Sequence, residues 1–261
     1  MRRREFLATA FSAGVSLAQV SRPAARKPRA VVKLFKSPDG HPNGLETASE
    51  GLWIGEQVSE RAYLVDWSGK VLRTLETESH NTSGIAAGGG FVWMAANGGP
   101  VVRKARPSDK PIGEVLQCDQ KTGKTLKRYV PQWGGGVHGV AWNHKTNKLW
   151  ITALGITALS EVDPKDDFRI LHQIPVRLGR AHGLDFEDGA VWCMFSTDLQ
   201  IQKLDMKTGK ILDVIQLSKE DPDPHGMCMH DGKLYYCDAG IAPGGKDSGS
   251  PHAGYICRID L

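Results

Sequence analysis

Three histidines occupy one position of a repeated cassette: His138-Gly139, His182-Gly183 and His225-Gly226. The other two copies carry Asn43-Gly44 and Ser83-Gly84 there, so the column reads Asn43, Ser83, His138, His182, His225. A neutral imidazole takes protons near pH 7 and also ligates metal ions. Three of them converging make the donor set of an open divalent-metal site, with room for water or substrate. His41 and His80 lie three and four residues ahead of their glycines and belong to the same candidate cluster.

Carboxylates join them. The column at the end of the second strand of each copy reads Glu56, Ala96, Ala153, Phe195, Asp238, and the fifth copy adds Asp223 in Asp221-Pro222-Asp223-Pro224-His225-Gly226. A carboxylate beside a histidine orients the ring or binds a hard cation directly. The candidate metal ligands are therefore His41, His80, His138, His182, His225, Asp223 and Asp238. The candidate catalytic groups are His225, His182 and Glu56. A plainer reading competes at each position: histidine before glycine can fix a turn by bonding backbone, and Asp223 can be a solvated turn residue before proline.

These residues acquire a common location only through the elements that carry them. The cassette glycines are Gly44, Gly84, Gly139, Gly183 and Gly226. Nine residues later, or eleven in the third copy, comes an aromatic: Trp53, Trp93, Trp150, Trp192, Tyr235. An apolar-Asp pair follows, ending at Asp66, Asp119, Asp163, Asp205 and Asp260. Short strands repeating every 40 residues or so (about the length of one four-stranded blade) predict a β-propeller. The fourth copy predicts strands over 183–186, 190–194, 201–205 and 211–215, with Asp188-Gly189 and Lys207-Thr208-Gly209-Lys210 as turns.

The chain ends at Asp260-Leu261, just after the third strand of the fifth copy, while Ala30-Val31-Val32-Lys33-Leu34-Phe35 ahead of the first copy reads as an unclaimed fourth strand. Pairing the two closes the ring without an open edge. The expectation is an all-β, five-bladed propeller of four-stranded antiparallel blades over 30–261, closed by the N-terminal strand. Two connections between second and third strands are long, 97–113 and 239–253, and would overhang the mouth of the central channel.

Arg3-Arg4-Glu5-Phe6-Leu7, the mild apolar run 8–18 and Ser16-Leu17-Ala18 read as a twin-arginine export signal over 1–18, followed by a flexible leader over 19–29. This predicts a periplasmic or secreted protein, with no membrane span in the mature chain. Loss of three arginines and one glutamate lowers the formal charge from +4 to about +2, and no basic face argues for nucleic acid. Of five cysteines, Cys237 and Cys257 fall on neighbouring strands and could pair; Cys118, Cys193 and Cys228 read as buried small hydrophobes.

His182-Gly183 through Trp192, and Pro224-His225-Gly226, resemble the cassette of virginiamycin B lyase and other streptogramin-lyase-like propellers. Those lyases are seven-bladed and open a ring ester by elimination, with magnesium held by two glutamates and a histidine as general base. The resemblance implies that His225 is the base, Asp223 and Asp238 are metal ligands, and His182 contacts substrate. The chain departs from the pattern in carrying aspartates for both glutamates, Tyr235 for the tryptophan, and five copies.

The function expected is an exported, monomeric, metal-dependent enzyme with its site at the channel mouth, acting as a lyase on a small ester or sugar-like substrate. The metal is magnesium, zinc, manganese or iron. A lactone or glycoside hydrolase, a histidine-ligated iron oxygenase, and a non-catalytic ligand- or protein-binding propeller stand as alternatives.

Overall fold

The computed structural model describes residues 22–28, 30–99, 103–132, 135–242 and 244–261. The segment read as an export signal, 1–18, lies outside them. Strand β1 (Val31–Lys36) is followed by four blades laid down in chain order. The first is β2 (Pro42–Ala48), β3 (Gly51–Glu56), β4 (Ala62–Asp66) and β5 (Val71–Leu75). The second is β6 (Thr82–Gly88), β7 (Phe91–Ala96), β8 (Glu114–Asp119) and β9 (Thr125–Tyr129). The third is β10 (Val137–Asn143), β11 (Lys148–Ala153), β12 (Ala158–Asp163) and β13 (Arg169–Pro175). The fourth is β14 (Ala181–Glu187), β15 (Ala190–Phe195), β16 (Gln200–Asp205) and β17 (Ile211–Gln216). The fifth takes β18 (Met227–His230), β19 (Lys233–Cys237) and β22 (Tyr255–Asp260), and borrows β1 as its outer strand.

This is the five-bladed propeller that the repeat predicts, and the seam closes as expected: β1 runs antiparallel to β22, from Val31 opposite Ile259 to Lys36 opposite Tyr255. Hydrophobic clusters fill the spaces between adjacent blades, with Trp53, Trp93, Trp150 and Trp192 each almost fully buried in one. The conserved spacing of the aromatic after the ring glycine thus sets one large side chain per inter-blade layer.

The glycines explain themselves by closeness. A Cβ on Gly44 would sit 2.6 Å from the Gly84 carbonyl carbon, one on Gly84 2.7 Å from the His138 carbonyl oxygen, and one on Gly226 2.5 Å from the Gly44 Cα. Five backbones meet at this level around the axis, and the space left between them is about 10 Å³. The channel expected from the repeat is therefore pinched shut at the glycine ring, leaving two separate mouths.

One expectation changes. All five cysteines are free. Cys257 lies opposite Tyr236, and Cys237 opposite Ile256, so the two sulfurs fall on opposite faces of the sheet. Within the segment read as a leader, the Arg26 backbone bonds Val214 and Gln216 of β17 and its guanidinium meets Asp213 at 2.7 Å.

Candidate functional site

Four of the five innermost strands begin with a bulge at the column residue. Pairing slips between Pro42 and Gly44, Thr82 and Gly84, Val137 and Val140, and Ala181 and Leu184. A bulge re-aims one side chain out of the ladder. In the fifth blade His225 precedes β18, and the backbone bonds from its amide to the Cys237 carbonyl (3.1 Å) and from the Cys237 amide to the Gly226 carbonyl (3.1 Å) hold the same place. Above the closed glycine ring, then, the five column residues meet, and all are buried.

The three histidines touch. The His138 and His182 ring centroids are 4.8 Å apart and those of His182 and His225 5.1 Å, both edge to face. Burial, with lesser contributions from Arg180 and His225, pushes His138 down to about 3. Burial likewise holds His182 well below the usual imidazole range and lowers His225. In all three, burial disfavours the protonated ring. Neither nitrogen of His138, nor either of His182, has a hydrogen-bond partner, a costly state for buried polar atoms that points to function.

His225 is oriented differently. Its Nδ1 faces the Asp223 carbonyl oxygen at 3.3 Å; a nitrogen facing a carbonyl carries the proton, which leaves Nε2 as the acceptor. The Asp223 carboxyl is raised, first by burial and then by Asp238, against lowering by His225 and Arg180. Burial lowers Arg180 from its ordinary value. His138, His225 and Arg180 border a cavity of about 380 Å³, whose walls also include Asn43, Gln57 and Asn97. The two long connections reach it, through Gly98, Gly99 and 111–113 and through the hairpin of β20 (Ile241–Ala242) and β21 (Lys246–Asp247). Arg180 was absent from the expected site; it stands two residues ahead of His182 in a left-handed conformation (φ 48°), the one cue the sequence offered being its place in the same turn.

The remaining candidates stand apart from the imidazoles. Asp238 is fully buried and accepts the backbone N–H of Asp223 (3.0 Å), the N–H of Gly240 (2.8 Å) and the Ser250 hydroxyl (2.6 Å). Glu56 is fully buried too; it accepts the N–H of His41 (2.8 Å) and of Asp39 (3.3 Å), and burial raises it. Both tie loops to second strands. His41 Nδ1 bonds the Ala239 carbonyl at 2.9 Å. His80 is buried 3.7 Å from the Glu114 carboxylate, beyond hydrogen-bonding reach, and neither histidine borders the cavity. As the side chains stand, no three His, Cys, Asp or Glu groups among the described residues converge as a ligand set. In donor chemistry His138 and His182 nonetheless fit a metal, being neutral imidazoles with unclaimed nitrogens.

No protein-family model matches the chain, and no curated protein matches it in sequence. Solved structures do. Glutaminyl cyclase of Myxococcus xanthus superposes with a TM-score of 0.60 at 12% identity, covering 88% of this chain and 95% of that one. A streptogramin B lyase gives 0.53 at 13% identity, over 89% and 97%. The chain shares the β-propeller fold with these enzymes. A catalytically inactive histidine-to-alanine variant of virginiamycin B lyase from Staphylococcus aureus, in complex with quinupristin, gives 0.50 at 15% identity, over 87% and 68%.

Proposed function

We propose that this propeller is an enzyme that removes a proton from a small, polar, anionic or ester-bearing substrate at His225, with elimination as the reaction. The observation that carries the reading is the imidazole whose Nδ1 proton is tied to the Asp223 carbonyl beside a cavity that Arg180 also borders. That tautomer presents Nε2 as a base, and burial disfavours its protonated form. Arg180 would hold the carboxylate or ester oxygen, where negative charge develops as the C–H bond breaks. The freed electron pair forms the double bond, the β-oxygen leaves with its bonding pair, and water returns a proton to it. The inactive histidine variant of virginiamycin B lyase is consistent with such a dependence on one imidazole, through likeness of fold alone.

A divalent cation (zinc, iron, manganese or magnesium) belongs to the proposal, held by His138 and His182; imidazole donors favour the first two. When bound it supplies Lewis-acid stabilisation of developing negative charge. Export through the twin-arginine route, and action as a monomer, are part of the same reading; cell fractionation and sedimentation test them.

The deciding experiment is a screen of lactones and uronides for ultraviolet absorbance from a new conjugated double bond, run on untagged protein with its metal content measured. The expected result is turnover that His225→Gln abolishes and Arg180→Gln weakens mainly through KM. Turnover surviving in His225→Gln would overturn the assignment.

A further inference from the structure

The opposite mouth of the closed channel holds a larger cavity, about 730 Å³, within the range of small-molecule sites. It forms where the innermost strands end, whereas the histidines sit where they begin. Its walls include Trp142, Trp150, Phe186 and Met229, with four acids, Glu46, Glu161, Asp185 and Asp188, of which two, Glu46 and Asp185, lie on innermost strands.

Both acids stand two residues past a ring glycine, in a column that reads Glu46, Ala86, Ala141, Asp185, Cys228. Each carboxylate also reaches to the next blade: Asp185 accepts the Met229 N–H at 2.6 Å, Glu46 the Ala87 N–H at 3.4 Å. Neither has a cationic partner among the described residues. Burial, and for Glu46 the charge of Asp185, raise both carboxyls, Asp185 to about 6 and Glu46 well above its ordinary value. Lys145 and Lys207 border the cavity only as exposed side chains.

A second, independent observation comes from Trp150. In blade two the corresponding indole donates to the Gly88 carbonyl (3.1 Å), and in blade four to Glu187 (2.9 Å), each five residues upstream. The third copy has two extra residues between glycine and tryptophan, which enlarge the turn after β10 and take that acceptor away. Trp150 is 1% exposed, and its indole nitrogen is without a partner. The enlarged turn, at His144 to Thr146, is itself part of the cavity wall.

We propose that this cavity binds a small organic cation: a primary ammonium on an apolar body that also bears a carbonyl acceptor. Glu46 and Asp185 supply the counter-charge that the protein leaves out. Trp142 and Phe186 offer aromatic surface to the body and to the cation, and the Trp150 N–H takes the carbonyl.

The test is calorimetry on the full chain with phenylalaninamide, compared with N-acetylphenylalaninamide, which lacks the charge, 3-phenylpropionate, which reverses it, and phenethylamine, which lacks the carbonyl. The expected result is a Kd below about 1 mM for phenylalaninamide, at least about tenfold weaker binding of phenethylamine, and no binding of the other two. Glu46→Gln combined with Asp185→Asn should weaken phenylalaninamide about tenfold or more, and Trp150→Phe should make it and phenethylamine bind alike. Equal binding of the acetylated compound, or no binding of phenylalaninamide at about 10 mM, overturns the proposal. The ligand series on the unaltered protein decides the matter even if the variants fail to fold, and it is independent of turnover at His225.

Discussion

The Asp238 carboxylate accepts the backbone N–H of Asp223 at 3.0 Å, so the end of the fifth blade's second strand holds the turn that presents His225. The same carboxylate takes Ser250 and Gly240 from the long connection after it. One buried charge therefore fixes both the candidate base and the loop that overhangs its cavity.

Asp238→Ala should cost about 3 kcal/mol, because it strands several buried donors that a charged acceptor had satisfied. Urea unfolding measures this. Asp238→Asn, which keeps one acceptor oxygen, should lose less. If Asp238→Ala unfolds at the same urea concentration as the parent, the bracing role is wrong.

The ring glycines predict a contrast between two alanine substitutions. Gly84→Ala places a methyl against the His138 carbonyl, a backbone atom that cannot swing aside, and should cost about 3 kcal/mol or prevent folding. Gly189→Ala, in the β14–β15 turn at φ 80° with nothing within 4 Å, meets only the left-handed backbone penalty and should cost about 1 kcal/mol. Thermal unfolding of the two variants side by side would show the difference.

Much of this was legible in the sequence. The glycine-to-aromatic spacing gives five blades, and the missing fourth strand of the last copy gives the closure by β1. Register did the rest for the imidazoles, because residues in one column of a ring must share a level. The bonds of Asp238 and Glu56 to their loops were not legible for a physical reason: a column shows which carboxylates reach the rim but not which backbone N–H groups will claim them. The pinched axis was hidden too, since a repeated glycine signals tight approach without saying to what. Glu46 and Asp185 obey the same column logic two residues further on.

Closure at the seam predicts a sharp limit to N-terminal truncation. Among the described residues, removing those through 29 breaks the Arg26 contacts with β17, a half-exposed ion pair and two backbone bonds, and the Arg22–Gln200 hydrogen bond, and should lower stability by about 1 kcal/mol. Removing residues through 36 takes away β1 and bares the edge of β22, so that the product should aggregate or fail to fold. Size-exclusion chromatography of the two truncations separates these outcomes.

The two mouths should respond to acid in opposite directions. In metal-free protein His138 has a folded pKa depressed to about 3, so between about 6.5 and 3 the unfolded chain takes up a proton that the folded one refuses. Stability from this group is full above about 6.5 and is lost as pH falls. Glu46 and Asp185 are raised, so their contribution is full below the ordinary carboxylate range and is lost as pH rises; for Asp185 the window runs from 3.8 to about 6. His138→Gln should therefore flatten the loss of stability on the acid side, whereas Asp185→Asn should raise stability at pH 8 and change little at pH 4. Denaturant midpoints at several pH values check both. A single variant that moved the two limbs together would mean that the mouths communicate through the glycine ring, against the closed backbone packing seen there.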